Sequence, residues 1–441
     1  IDEGTSTGKK GVPSNQIAGI SFPVNVYATD DYWNKTTAQP TVDLTTTDLY
    51  DTDPSPKSLV NGTTVFYITF VKAHSSWTIT SSNDSFYTDY TSADIYVNPN
   101  SATKLLILVP GENPDEGNVS AGGISGTPDN QLAGESFQVR VRGVDDYYNM
   151  DENALATVSL TTDYPSADIV NPSSQALSNG EAIFTVTLAR ANTTSYLSAT
   201  DTDPFPLSST TSSGIYVIPG IPYKLQVLLP NEMNEPATST GKSGTVINQV
   251  AGYEFNITVN SVDNKFNITP TTATFSITST DPYAVLPSTK QLINGTTTFG
   301  ITLRQANTYQ KVFVSEYDTG YSLIGDTSTE VYVEAGPPVN LRILVPGESR
   351  NYIYSGKTGA PSDETAGVSF PVTVDACDVL WNIVTDTNTT IHLTTTDPND
   401  TEPSNQGLTS GTTTFYVTFK TANTTWTITA TDLNGGMSST T

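Results

Sequence analysis

Phe22, Val24 and Val26 alternate along the chain with Pro23, Asn25 and Tyr27, a two-residue period that puts three apolar side chains on one face of a strand. The pattern returns as Phe137, Val139 and Val141, as Phe255, Ile257 and Val259, and as Phe370, Val372 and Val374. A second alternating run follows each of these: Phe66, Ile68 and Phe70, then Phe184, Val186 and Leu188, then Phe299, Ile301 and Leu303, then Phe415, Val417 and Phe419. Asn-Gly pairs beginning at Asn61, Asn179 and Asn294 stand just before three of the second runs, a strong signal for a tight hairpin turn. Pro23 and Pro371 fall on the outward side of the first run, where a missing N–H is tolerated only at a sheet edge or a strand start. No stretch carries a convincing 3.6-residue period, and the abundance of threonine, valine and aromatic residues favours a pleated surface.

These runs belong to a unit present four times, and repetition on this scale decides the fold. "AGISFPVNVYATDDYWN" from Ala18 aligns with "AGESFQVRVRGVDDYYN" from Ala133, "AGYEFNITVNSVDNKFN" from Ala251 and "AGVSFPVTVDACDVLWN" from Ala366, at steps of 115, 118 and 115 residues. A Thr-Asp pair recurs between the runs, at Asp48, Asp163, Asp281 and Asp397. An apolar content of 36% can give each copy a core. Short strands at regular spacing in a unit of roughly 100 residues predict an all-β chain of four tandem immunoglobulin-like β-sandwich domains. Their boundaries are read at 1–99, 100–219, 220–336 and 337–441.

The fourth copy, with "AGVSFPVTVDACDVLWN", "LTTTDP" and "GTTTFYVTFKTANTTWTITATD", resembles the bacterial and archaeal Ig-like repeats of cell-surface proteins, including the invasin and intimin type. The resemblance covers essentially the whole chain and implies a surface-exposed rod or fibre of many domains. It departs from that family at one position: where a Gly usually precedes the Asn of the "D-x-x-G-N" turn, this chain has Trp33, Tyr148, Phe266 or Trp381.

Between copies runs a 16-residue stretch, "IYVNPNSATKLLILVP" at 95–110, "IYVIPGIPYKLQVLLP" at 215–230 and "VYVEAGPPVNLRILVP" at 331–346. Its first part reads as the closing strand of one domain and its second as the opening strand of the next. The few Pro, Gly and small residues between them are too short for a flexible tether, so an elongated, semi-rigid rod is expected. Tyr96, Tyr216 and Tyr332 are expected to point outward here, as are Leu108, Leu228 and Leu344, which makes these six the candidate joint residues, packing on the neighbouring domain or on another chain. By comparison with the other copies, domain 1 is expected to lack its opening strand and domain 4 its closing strand. Two readings stay open: further repeats of the same chain supply the missing strands, or copies complement one another head to tail by strand addition.

Charge and chemistry narrow the function. Nineteen basic against 45 acidic residues give a net charge of −26, which disfavours nucleic acid and anionic membranes as partners. No run reaches the roughly 18 apolar residues of a membrane helix, so no membrane insertion is expected in this segment. The single cysteine, Cys377, sits where the other copies have Thr29, Val144 and Val262 and reads as a small buried side chain. His74 and His392 lack a recurring Ser or Cys partner, and no phosphate loop, CxxC or HExxH is present, so catalysis is not expected and no cofactor is implied.

One polar motif recurs four times: Asp30-x-x-Trp33-Asn34, Asp145-x-x-Tyr148-Asn149, Asp263-x-x-Phe266-Asn267 and Asp378-x-x-Trp381-Asn382. Side-chain bonds to the turn backbone explain it. The rival is a calcium site at a hinge between domains, built from Asp30, Asp145, Asp263 or Asp378 with the Asn carbonyl and acids such as Glu112 or Glu348. Eleven Asn-x-Ser/Thr sequons, at Asn34, Asn61, Asn83, Asn118, Asn192, Asn256, Asn267, Asn294, Asn388, Asn399 and Asn423, are expected to be accessible in turns or on outward strand faces as candidates for glycosylation. The chain reads as a structural, extracellular repeat protein: the shaft of a surface filament, stalk or surface layer, partnered by its own copies or adjoining repeats. The alternative is the spacer repeats of a cell-surface adhesin whose partner is a host or carbohydrate ligand.

Overall fold

A computed structural model of the chain describes all residues except Asp84, Ser85, Phe86, Thr319, Asn423, Thr424 and Ser439. It is all-β, with no helix among the described residues. The chain divides into two compact units, Ile1–Ile218, which holds repeats 1 and 2, and Pro219–Thr441, which holds repeats 3 and 4.

Repeat 2 shows the sandwich in full. One sheet runs Lys104–Leu108, Ser136–Val144, Glu181–Thr187, Ile169–Asn171. Facing it, Thr157–Thr162 lies between Ser174–Ala176 and Leu197–Asp201, with Thr210–Thr211 outermost. A further ladder places Ile215–Ile218 between Gln131–Leu132, to which it is parallel, and Thr193–Ser195, to which it is antiparallel. The alternating runs supply the core: Val139, Val141, Phe184 and Val186 are fully buried with Leu105 and Ile107 from the opening strand and Ile215 and Val217 from the closing strand. Repeat 3 follows the same plan, with Leu225 and Val227 at the opening and Val331 and Val333 at the closing. The Asn-Gly expectation holds. Asn61, Asn179 and Asn294 have φ near 50° and the glycines after them are also positive, the geometry of a type I′ hairpin; Ser410-Gly411 does the same in repeat 4.

The end repeats differ in the strand pairing of their described residues. In repeat 1, Phe22–Tyr27 pairs only with Thr63–Ile68, so one edge is open among the described residues. Pro23 sits on that edge strand, where no ladder bond is forfeited. With no neighbour on that side, Val24 and Val26 are half-exposed, whereas their counterparts Val139 and Val141 are sealed. Repeat 4 has its opening strand Asn340–Leu344, and Pro371 lies beyond the last residue paired to it. Among its described residues no ladder equivalent to the one around Ile215–Ile218 is found.

The outer face of the opening strand is covered as well, by a hairpin: Glu112–Pro114 with Ile124–Gly126 in repeat 2, and Glu348–Asn351 with Gly356–Gly359 in repeat 4. The residue beneath it varies. Leu106 packs there in repeat 2, Gln226 in repeat 3 bonds Gly241 O at 2.7 Å, and Arg342 in repeat 4 donates to Asp375 at 2.6 and 3.0 Å and to Gly356 O and Trp381 O. Burial alone would raise the Asp375 carboxyl, but bonds from Arg350, Thr412 and Arg342 hold it below the ordinary range. The Cys377 thiol, one strand position on from Ala376, is fully enclosed and is pushed up to about 12 by burial.

The open edge has a measurable consequence. Val141→Ala is expected to cost about 2 kcal/mol of unfolding free energy and Val26→Ala about half that, because the second site is already wet. Equal losses in denaturant unfolding would contradict the open edge of repeat 1.

Candidate functional site

The Asp-x-x-aromatic-Asn segment folds as one turn in all four repeats. Asp145 Oδ1 accepts from Tyr147 N, Asn149 N and Asn149 Nδ2 at 2.9 to 3.1 Å, and Asp30, Asp263 and Asp378 repeat the arrangement. The aromatic before the Asn adopts the left-handed conformation, with φ of 65° at Trp33 and Tyr148, 66° at Phe266 and 62° at Trp381. This is the position where Gly would be easiest. The ring covers a glycine of the adjoining hairpin or loop: a Cβ on Gly8, Gly123, Gly241 or Gly356 would stand 2.0 to 2.5 Å from the facing ring. Lys104 Nζ lies 3.4 Å from the centre of Tyr148 and Lys224 Nζ 3.6 Å from that of Phe266. In each repeat the glycine thus lies against the ring, and the aromatic itself holds the positive φ.

The Asn at the end of the turn reaches out of its own repeat. Within the first unit, Asn149 Oδ1 accepts from Ala73 N at 2.8 Å and Asn149 Nδ2 donates to Val71 O at 2.9 Å, both on repeat 1. Within the second, Asn382 Oδ1 accepts from Ala306 N at 3.0 Å and its Nδ2 donates to Arg304 O at 2.9 Å, both on repeat 3. The same amide makes the same two backbone bonds at the joint of repeats 1 and 2 and at that of repeats 3 and 4. Asp145 Oδ2 binds the linker at Asn100 N, and Asp378 Oδ2 binds it at Gly336 N. The loop that Asn149 grips is held by the recurring Thr-Asp pair: Asp48 Oδ2 accepts from Val71 N and Lys72 N, as Asp281 does from Arg304 N and Gln305 N, and as Asp397 does from Lys420 N and Thr421 N. In repeat 2 this task passes from Asp163 to Asp168, which accepts from Ala189 N. Burial opposes the Asp397 charge, yet the N–H groups of Asn399, Thr421 and Lys420 bring its carboxyl down to about 2.

In repeats 1 and 3 the Ala-Gly pair that opens the copy receives the next repeat. Gly19, at φ 77°, lies so close to the Tyr147 ring that a Cβ would come within 2.3 Å, and Gly252 faces Leu380, two residues after Asp378, at 2.9 Å. Around these seats, Tyr50 donates to Asp115 at 2.7 Å from repeat 1 to repeat 2, which with the Asn118 amide holds the Asp115 carboxyl below its usual range. The rings of Tyr283 and Tyr354 meet edge-on at 6.1 Å between repeats 3 and 4.

Several expectations land elsewhere. Tyr96 and Tyr216 are exposed and Tyr332 is half-buried against Tyr309. Leu108 and Leu228, expected to face outward, are buried, and Leu344 is half-buried; Leu108 packs with Leu106 and Val144 beneath Ile124 and Tyr148 of its own repeat. The hairpin over the opening strand turns its outer face into a second core, which strand alternation alone does not announce. The acids proposed for calcium are not gathered: Glu112 Oε2 accepts from Val109 N and Glu348 Oε2 from Val345 N, capping their own turns, while the Asp oxygens are taken by N–H donors. No group of three or more potential ligands for a metal occurs among the described residues. His74 lies on an exposed strand beside Trp77, and His392 Nδ1 contacts Asn405.

Of the sequons, Asn267 is 2% exposed with its amide bonded to Asp263, which corrects the expectation of an accessible acceptor there. Asn83 and Asn118 are half-buried; Asn34, Asn61, Asn192, Asn256, Asn294, Asn388 and Asn399 are exposed; Asn423 lies outside the described residues.

No family model and no curated protein matches the chain. Solved structures similar to it include E. coli alpha-2-macroglobulin in its native conformation (10% identity, TM-score 0.23), of which it spans 27% with 93% of its own length. Others are the Yersinia pseudotuberculosis adhesin InvE (16%, TM-score 0.22; 47% of this chain, 57% of that one) and domains 5-6 of the S-layer protein SbsC (15%, TM-score 0.17; 52% and 98%).

Asn149→Ala strands the Ala73 N–H and the Val71 carbonyl and is expected to cost about 2 kcal/mol in the unfolding of repeats 1 and 2, whereas Asn34→Ala, on an exposed turn, changes stability by less than about 0.5 kcal/mol. Denaturant titration of the full chain checks the contrast. Asp397 has a folded value below its unfolded one, so its stabilisation is present above the ordinary carboxylate range and disappears as pH falls through about 2. The deficit of Asp397→Asn in thermal melts is therefore largest near neutrality and closes toward pH 2.

Proposed function

We propose that this chain is a non-catalytic structural protein of the cell exterior, a jointed array of sandwiches that forms the shaft of a filament, stalk or surface layer. One observation carries the reading: where repeat 2 meets repeat 1 and where repeat 4 meets repeat 3, the recurring polar motif spends its side-chain amide bonds on the preceding repeat, through Asn149 and Asn382. Exposed aromatics support the same conclusion. Tyr32, Tyr67, Tyr196, Phe205, Tyr253, Tyr309, Tyr354 and Tyr416 are spread over all four repeats, where a binding face would concentrate them in one. A net charge of −26 keeps such a surface hydrated and repels unspecific contacts. Exposed sequons such as Asn61 and Asn294, at the tips of hairpin turns, offer room for glycans in this setting.

Electron microscopy of native cell-surface material, with antibody against the chain, tests the reading. Label running along fibres, stalks or a continuous layer is the expected result. Label confined to the cell interior, or to isolated particles tipped with a ligand-binding head, would overturn it.

A further inference from the structure

Repeat 3 contains a pocket of about 360 Å³ built from its own residues alone. Small-molecule sites occupy roughly 300–1,000 Å³, so the space suits one small ligand. Lys224 lines it from the opening strand and Phe266 from the turn motif. Ser239 and Thr240 come from the loop between the strands Met233–Asn234 and Lys242–Ser243, and Asp326 and Thr327 from a short strand of their own.

The Lys224 ammonium stands apart from the other charges here. It lies over the Phe266 ring, 3.6 Å from its centre, and meets no hydrogen-bond acceptor among the described residues. In repeat 2 the matching Lys104 sits on Tyr148 in the same way but donates to Asp146 O at 2.9 Å. Burial pushes the Lys224 amine below its ordinary range; Asp326 pulls against that shift and Lys242 adds to it. The remaining charges are matched within the protein. Lys242 Nζ donates to Val227 O at 2.6 Å and stands 3.8 Å from Asp326 and 3.9 Å from Glu232. Asp326 Oδ2 accepts from Val227 N at 2.8 Å, and Glu232 accepts from Leu229 N and from the Thr329 hydroxyl. Asp326 Oδ1 and the hydroxyls of Ser239 and Thr327 find no hydrogen-bond partner among the described residues.

We propose that this pocket binds one pyranose ring carrying a single carboxylate, a hexuronate, with the carboxylate on Lys224 and the ring hydroxyls on Asp326, Ser239 and Thr327. A partly desolvated ammonium with three donors gains most from a charged acceptor. A sugar hydroxyl both donates and accepts, so it can give its hydrogen to the Asp326 carboxylate and take one from Ser239 or Thr327. The net charge of −26 does not forbid an anion. Residues 220–336 hold six basic and ten acidic side chains, a smaller acidic excess than any other repeat, and charges farther away than about 8 Å are screened at physiological salt. Repeat 4 has Asn340 at the position of Lys224, so the site belongs to repeat 3 and adds a binding function to the structural one.

Calorimetric titration of the full chain with glucuronate, and with glucose as its neutral counterpart, provides the test. Glucuronate is expected to bind saturably and about tenfold or more tightly than glucose, the factor that one charge-assisted contact supplies. Lys224→Met is expected to remove that advantage, while Lys104→Met, which alters the matching lysine of repeat 2, leaves it intact. Ser239→Asp changes an exposed loop residue without touching the core, and so covers the case in which Lys224→Met fails to fold. By setting a carboxylate against that of the sugar it is expected to weaken glucuronate and spare glucose. Absence of saturable glucuronate binding, equal affinity for the two sugars, or wild-type preference in the Lys224→Met and Ser239→Asp chains would overturn the proposal. Such a failure leaves the array reading standing, since that rests on Asn149 and Asn382.

Discussion

Each sandwich here depends on strands that lie at the far ends of its own sequence and on a backbone shared with its neighbour. At the joint of repeats 1 and 2, Ile95 and Val97 close one core and Leu105 and Ile107 open the next, with only a handful of residues between. Burying those side chains stabilises each domain by several kcal/mol, a large part of what a domain of this size has at its disposal. A chain that passes through two cores in so few residues leaves the linker little freedom to move. The half-wet Val24 and Val26 show the same constraint: where the strand Phe22–Tyr27 has no second partner among the described residues, hydrophobic side chains face water.

The polar half of the joint is built on a single turn. An Asp gathers N–H donors, the aromatic takes the left-handed backbone, and the Asn that follows is left projecting. Placing a bulky residue at positive φ costs about 1 kcal/mol or more, and the ring offsets it by covering a glycine and, in repeats 2 and 3, receiving a lysine ammonium on its face. The projecting amide then satisfies one N–H and one C=O of the preceding repeat, groups that would otherwise be buried without partners as the two bodies meet. Asp48 and Asp281 serve the same end from the other side by holding the gripped loop in shape.

Repetition of backbone does not entail repetition of chemistry. The slot under the opening-strand hairpin is apolar at Leu106, an amide network at Gln226, and a buried ion pair at Arg342 with Asp375. All three close the same space. The ion pair is tolerated because Asp375 also accepts from Arg350 and Thr412, so that no oxygen of the carboxylate is left without a donor.

Period-two alternation, the Asn-Gly turns and fourfold recurrence made the sandwich, its strands and the inward faces of Val139, Phe184, Ile257 and Phe415 legible from the residue order alone, because those features follow from backbone pleat and local turn geometry. What the turn motif is for could not be read in this way: Asp145 and Asn149 look like a self-contained cap until the preceding repeat is brought alongside, and the contact spans more than seventy residues of sequence. Leu108 and Leu228 were misassigned to the surface for a related reason, since alternation reports two faces of a strand but not whether a hairpin will be laid over the outer one. Local order determined which residues could be paired or buried; only the three-dimensional packing of one repeat on the next, and of each hairpin on its own strand, decided which of them were.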